Sequence, residues 1–442
     1  MSSLPRVLHV SINENQVGEL RELNDIWSFE YDARWLLNPS AFSLSPGLAM
    51  TTPLHVDGSS IRPVQWYFDN LLPEELLREV LAKEAKLVAA DAFGLLEYFG
   101  SESAGSLVLK APGATDAAQG LKSLSLADLY RRIKNLPHAS LTQDAPKRMS
   151  LAGAQHKMVV VIEGQELFEP LPGTPSTHIL KPNSPSLDYP SSVINEFFTM
   201  RLAGLVGLTV PAVDRLYVPA PVYLIDRFDR TRAADASVQR IHVIDTCQLL
   251  SKSRAFKYQQ ATLETLAQAI KQCRAKAATR VQLYRWLLFN ILVGNGDNHL
   301  KNISFRVDHE GINLAPTYDL LSTAVYATPA MAQQMPTWPR VELGVSLVGA
   351  HYFSDVTREK LLEAGAALGL ASETVNRELA AMEKKLPSAA DALLANTIEK
   401  FEGLINASPD PDQVRAVQGG EIRLLRAIRS IVIRDMLERI RA

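Results

Sequence analysis

The chain reads Gly294-Asn295-Gly296-Asp297-Asn298-His299-Leu300-Lys301-Asn302, then two short apolar runs, then Tyr318-Asp319-Leu320. Before this stretch, Val281 to Val293 is a mostly apolar run of about three helical turns, and Gly294, Asn295 and Gly296 stop it in the way helices end. After it, Ile303 to Val307 and Ile312 to Pro316 are equal in length and flank Asp308-His309-Glu310-Gly311, a turn composition, so they predict a hairpin. Equal arms bring Asn302 and residues 317–319 to the same end. Asp297 and Asn302 should therefore converge on Asp319, giving one carboxylate free to take a proton and two oxygen ligands suited to a hard divalent cation.

Taken singly, Asp and Asn in loops form turns and cap helices. The set is more specific. An Asp, an Asn five residues later, a hairpin and a second Asp match the spacing of the protein-kinase catalytic loop and metal-binding Asp, with Asp319-Leu320-Leu321 where eukaryotic kinases carry Asp-Phe-Gly. A metal-dependent hydrolase using Asp297, His299 and Asp319 is a competing reading, but it lacks the Cys/His-rich set or two-histidine helix that zinc sites favour.

Composition agrees with an enzyme of more than one domain: 442 residues, 47% apolar and 21% charged, can bury two or three cores. A formal charge of −2 exerts no global pull on nucleic acid or anionic membrane. Two cysteines, Cys247 and Cys273, without metal-type spacing, read as core thiols in a reducing, cytoplasmic compartment. The first residues run directly into a strand-like segment without the apolar core of a signal peptide, and no segment reaches the length of a membrane span.

Residues 1–110 mix strand signals (Arg6 to Ser11) with helices such as Glu74 to Ala85 and an aromatic cluster through Trp27, Phe29, Tyr31 and Trp35, which reads as a compact domain of its own. Residues 111–148 read as a connector carrying a helix from Leu121 to Ile133, broken between Pro137 and Pro146. Residues 149–244 are β-rich, with a helix at Ser192 to Val206. Residues 245–442 read as all-helical apart from the catalytic hairpin and a loop around Thr328 to Pro339. This predicts an α+β, bilobal, protein-kinase-like fold with an extra N-terminal α/β subdomain.

The β-rich lobe should supply the nucleotide clamps. Ser150-Leu151-Ala152-Gly153-Ala154-Gln155-His156-Lys157 is a small-residue loop leading into the strand Met158 to Ile162, which lets backbone N–H groups approach phosphate oxygens; on its own it is equally a tight hairpin approach. Lys181 ends the strand-like Thr177-His178-Ile179-Leu180, where a buried ammonium needs anions. Glu196, or Asn195 beside it, is placed on the next helix to pair with it. Val222 to Phe228 reads as the strand that becomes the hinge, with Arg227 and Arg230 as surface charges. Near the C-terminus, Glu421 to Ile440 carries Arg423, Arg426, Arg429, Arg434 and Arg439; interleaved Glu421, Asp435 and Glu438 favour a solvated face over a contact surface.

Together with Phe68-Asp69-Asn70-Leu71-Leu72-Pro73-Glu74, His178 to Pro182, Asn195-Glu196-Phe197 and Asp226-Arg227-Phe228-Asp229-Arg230, these segments make the chain resemble, over most of its length, the HipA family of serine/threonine kinases, toxins of bacterial HipBA toxin–antitoxin modules. The resemblance implies ATP contact by Ala152, Gly153, Ala154, Gln155, His156, Lys157 and Lys181, hinge contact by Asp226, Arg227 and Phe228, and Asp297 as proton acceptor. It further implies nucleotide contact by His299, Leu300, Lys301, Asn302, Tyr318 and Asp319, and Mg2+ held by Asn302 and Asp319. It also implies self-phosphorylation of Ser150, a HipB-like helix-turn-helix antitoxin, operator DNA reached mainly through that antitoxin, and a protein substrate such as an aminoacyl-tRNA synthetase, for example glutamyl-tRNA synthetase. The consequence would be inhibited translation, growth arrest and persistence. An antitoxin-bound regulatory scaffold without turnover is the remaining alternative; the complete set Lys181, Asp297, Asn302 and Asp319 argues against it.

Overall fold

The computed structural model describes residues 4–114, 118–143, 145–149, 151–153, 155–164, 166–218, 220–233, 237–407 and 411–441. Ser150 and Ala154, both expected at the nucleotide loop, lie outside the described residues.

The first strands alternate inward apolar and outward polar residues, the period that a sheet with one covered face requires. They form a five-stranded antiparallel sheet in the order Leu54–Val56, Ile26–Tyr31, Asn15–Leu23, Arg6–Ile12, Leu107–Lys110. The expected aromatic cluster forms on it, Phe29 meeting Tyr31 edge-on at 4.9 Å and Trp27 meeting Phe93 at 5.2 Å. Its core continues into the rest of the chain: the main cluster of buried side chains runs from Leu8 to Ile440, and Tyr67 is fixed by His242 and by Gln248, which donates to its carbonyl at 3.0 Å.

The β-rich lobe is a six-stranded antiparallel sheet ordered Val213–Tyr217, Pro221–Asp226, His178–Pro182, Met158–Glu163, Glu166–Pro170, Leu121–Ser123. Leu121–Ser123 therefore joins the sheet edge and does not begin the expected helix. The reason is local: Ser125 caps the helix Leu126–Lys134 by accepting from the Asp128 amide, so the helix cannot extend back. Arg132 then grips Glu169 through two bonds of 2.7 and 3.1 Å, pinning this helix over the sheet.

The large lobe is mostly, not wholly, helical. The expected hairpin forms as Ser304–Asp308 and Gly311–Leu314, but Val243–Asp245 adds a third strand to it, and Glu342–Leu347 with Ala350–Tyr352 makes a second hairpin. The helix before the catalytic loop spans Lys276–Leu292, and Gly294 follows it at φ +69°, where a Cβ would meet Val432 Cγ1 at 2.6 Å. Glu421 is not on a solvated face. It is fully buried and accepts from Tyr217 Oη at 2.7 Å, while the arginine-rich helix passes through a π turn at Ile428–Ile433. No helix among the described residues is long and apolar enough to cross a membrane.

Arg227 and Arg230, read above as surface charges, are buried with Lys147 and Arg240 around Glu102 at 2.9, 2.8, 2.5 and 2.9 Å. Burial disfavours the charged carboxylate, but the four cations outweigh it and hold Glu102 well below the usual carboxylate range. Glu102→Ala leaves these cations short of a counter-charge and should cost on the order of 3–5 kcal/mol. Denaturant unfolding at pH 7 checks this; a loss under about 1 kcal/mol would show that the knot is replaceable.

Candidate active site

In the strand His178–Pro182 alternation sends Leu180 to the outer core and Lys181 to the opposite face, beside its register partner Tyr223 and under the helix Ser192–Val206. Lys181 Nζ lies 2.8 Å from Glu196 Oε1 and 2.7 Å from Asp319 Oδ1. One ammonium thus serves two carboxylates. Asn195, the rival to Glu196, instead donates to the Ser322 carbonyl at 2.9 Å.

The groups respond unequally. Burial alone would raise Asp319, yet Lys181 and Lys157 more than offset it and bring it to about 2. Glu196, buried and beside the Asp319 charge, is pushed up to about 7 in spite of Lys181. Burial would neutralise Lys181, but the two carboxylates keep it protonated.

The loop from Gly294 to Asn302 is shaped by its own polar groups and by Thr323. Gly296 N–H donates to Thr323 Oγ1 at 2.6 Å, and Asp297 N–H to Asn295 Oδ1 at 3.0 Å. The Asp297 carbonyl receives the His299 amide at 3.0 Å and Asn302 Nδ2 at 2.8 Å. Asn302 Nδ2 is thereby committed to the loop. The Asp297 carboxyl accepts from Tyr258 Oη, and burial, with Asp319 nearby, pushes it up to about 6. Burial and Lys257 hold His299 down at about 4, so it is neutral at pH 7. Asp319 itself sits at φ +57°, in the left-handed region, which turns its carboxylate to Lys181.

The loop expected to hold nucleotide reaches the same cleft, Lys157 lying near the charges of Lys181, Asp319 and Glu196. Gly153 has φ +104°, and its carbonyl accepts from the Glu74 amide at 3.2 Å. Lys157 donates to the Ala152 carbonyl at 2.5 Å; burial and the charge of Lys181 push it down to about 8. Gln155 is partly exposed, and His156 is buried with no partner at Nδ1.

The remaining residues expected at the nucleotide have these protein partners. Asp226 pairs with His178 at 2.8 Å, and its amide goes to the Ala212 carbonyl. Arg227 cannot reach a nucleotide through its side chain, because Asp229, Glu102, Ser176 and the Ser103 carbonyl hold its guanidinium. Phe228 packs on Tyr318 at 5.4 Å, forming a wall, while Tyr318 Oη donates to the Lys301 carbonyl at 2.6 Å. Lys301 is turned away: its ammonium is buried on Asn70 Oδ1 at 2.9 Å and Asp245 Oδ2 at 2.7 Å. Leu300 is a core side chain whose amide meets the Lys257 carbonyl. Among the described residues no three His, Cys, Asp or Glu are grouped to hold a metal ion. Tyr258 and Lys257 escaped the sequence reading because no periodicity or motif marks them.

The pattern of the HipA-like C-terminal domain matches residues 149–390, more than half of the chain, and that of the HipA N-terminal domain matches residues 8–110. The chain belongs to the HipA family. Y4mE of Sinorhizobium fredii is 36% identical over 346 residues, covering 75% of this chain and 81% of that relative. The serine/threonine-protein kinase toxin HipA of Shewanella oneidensis is 31% identical over 339 residues, 72% of this chain and 76% of that one. The HipA-type fold is shared, at a TM-score of 0.73 and 24% identity over 98% of this chain and 99% of the other, with a solved structure of the Shewanella oneidensis HipA, HipB and operator DNA complex.

Lys181→Met should release Asp319: burial would then act with less opposition, and its pKa should climb from about 2 toward or above the ordinary value near 4. A carboxyl-carbon NMR titration reads this directly. An Asp319 that stays near 2 would assign its ionisation to Lys157.

Proposed function

We propose that this protein is an ATP-dependent serine/threonine protein kinase and the toxin of a type II toxin–antitoxin module. The observation that carries the reading is Lys181 held between Glu196 and Asp319, with the Asp297–Asn302 loop tied together at the same cleft. Membership in the HipA family supports the same conclusion.

In this reading Lys181 and the amides of the nucleotide loop receive the phosphates, and the Phe228–Tyr318 wall flanks the hinge. The residues fit magnesium: Asp319 is ionised across the physiological range, and Asn302, with its amide nitrogen on the loop, keeps Oδ1 for a hard cation. A bound magnesium ion would supply charge neutralisation at the transferring phosphoryl group. Asp297 orients the serine or threonine hydroxyl and takes its proton as that oxygen bonds to the γ-phosphorus and the bond to the β-phosphate bridging oxygen breaks, releasing ADP. Asp297 is ionised above about pH 6, so transfer should fall as pH drops through that value.

The protein acceptor proposed is an aminoacyl-tRNA synthetase such as glutamyl-tRNA synthetase, with translation inhibition, growth arrest and persistence as consequences. Ser150 is the proposed self-phosphorylation site: Lys147-Arg148-Met149 precede it, and a phosphate of about −1.5 to −2 charges there would draw the loop from the nucleotide. The proposed partner is a HipB-like helix-turn-helix antitoxin, which would bring operator DNA, and the proposed location is the cytoplasm.

Asp297→Ala should keep nucleotide affinity within about threefold while transfer falls by about 10²-fold or more, and should leave Ser150 unmodified. Asp319→Ala should instead lose the magnesium-dependent thermal shift with ATP. Binding by thermal shift, and transfer by intact mass after incubation with ATP and magnesium, separate the two. Near-normal transfer by Asp297→Ala removes the base assignment.

Production of the chain alone should arrest growth of a bacterial host, and co-production of a cognate helix-turn-helix antitoxin should relieve it. Growth curves at matched protein levels decide; unimpaired growth beside active kinase rejects the toxin role.

A further inference from the structure

The Asp297 carboxyl has one protein partner among the described residues: Tyr258, whose hydroxyl donates to Oδ1. Its other oxygen, Oδ2, is left for an incoming group. Tyr258 comes from a different part of the chain, and its seat is rigid on several sides. Its ring stands edge-on to His299, with centroids 4.8 Å apart. Its neighbour Lys257 binds Glu74 at 2.5 Å and Glu75 at 3.2 Å, and the Lys257 carbonyl receives the Leu300 amide at 3.1 Å. One turn earlier Arg254 is tied to Asp69 at 2.8 Å. Yet Tyr258 remains 47% exposed, so it stands at the mouth of the cleft and not in the core.

A buried tyrosine hydroxyl commonly serves packing and needs any available acceptor. Tyr258 differs. Its exposed ring would be solvated elsewhere at little cost, and its anchored backbone aims it at the carboxylate proposed to act as base. We propose that Tyr258 is a positioning residue for phosphoryl transfer: its hydroxyl fixes one oxygen of Asp297 so that the other is presented to the acceptor hydroxyl. The inference rests on Asp297 being the base.

The test is the full-length Tyr258→Phe protein, which keeps the ring and loses only the hydroxyl, compared with wild type and Asp297→Asn. Incorporation of γ-labelled phosphate from magnesium-ATP into the protein is followed at about pH 8 over a range of ATP concentrations, with ATP affinity and melting temperature measured alongside. The expected result is ATP affinity and KM within about twofold of wild type, an unchanged melting temperature and a kcat lowered about tenfold. A kcat within about twofold of wild type, or a faster one, overturns the proposal, the latter by making Tyr258 an obstacle to the acceptor. Asp297→Asn at wild-type rate overturns the base assignment instead, whatever Tyr258→Phe does.

Discussion

Glu102 has no solvent exposure and still must remain charged, because Lys147, Arg227, Arg230 and Arg240 are buried against it. The cations come from two regions: Lys147 from the segment before Leu151, and Arg227, Arg230 and Arg240 from the end of the strand Pro221–Asp226 and the two-stranded ribbon that follows it, where Arg230 and Arg240 are cross-strand partners. Taking charges out of water costs several kcal/mol per ion, and a single salt bridge seldom returns it. The cluster persists because its geometry is shared. Asp229 supplies the second anion, binding Arg227 at 2.6 Å and Arg230 at 3.1 Å while accepting the Gly105 amide at 2.7 Å. None of these segments can move without leaving another's charge uncompensated. Residues 227–230 and the segment at Lys147 are therefore held in one frame with Glu102.

Inside that frame the cleft is built on competition for cations. Lys181 is divided between Glu196 and Asp319, and the outcome, an Asp319 held near 2 beside a Glu196 near 7, leaves Asp319 the charged carboxylate of the two at neutral pH. Lys157, without an equivalent partner, is weakened as a cation. Both features suit a site that waits for anions: an additional negative group would restore Lys157 to full charge and share Lys181 with the carboxylates.

How much of this was visible in the chain depended on sequence distance. The stop at Gly294, the hairpin after Asn302 and the pairing of Lys181 with Glu196 are set by residues within a few turns of one another, where periodicity, turn chemistry and strand alternation act. Arg227 read as a surface charge because its burial depends on Glu102, 125 residues away, and not only on Asp229 beside it. The burial of the Lys301 ammonium against Asn70 was equally invisible, because the two lie 231 residues apart. The strand Leu121–Ser123 is too short to show a period, and only its pairing with Glu166–Pro170 defines it. Tyr258 reaches Asp297 across 39 residues, with nothing in its neighbours to announce it. Long-range polar pairs leave no pattern in a single sequence, and the misread residues belong to them.

The segment Phe68 to Glu74 shows what such pairs accomplish. Leu71 and Leu72 are buried in the continuous core, which fixes the segment's backbone; its polar residues are then free to act outward in two directions. Asn70 receives the Lys301 ammonium on its carbonyl at 2.8 Å and on Oδ1 at 2.9 Å, and Glu74 receives Lys257, the residue before Tyr258. On the other side, the Glu74 amide donates to Gly153, and Pro73 bridges to the same glycine. Pro73 has no N–H of its own to satisfy, so the contact is made by the next residue's amide. A single turn of the N-terminal subdomain thus touches both the loop proposed to hold phosphates and the loop that carries Asp297. Since the two loops belong to different lobes, their separation is set by a third element that neither lobe contains. The subdomain is on this account part of the active-site frame and not an appendage to it.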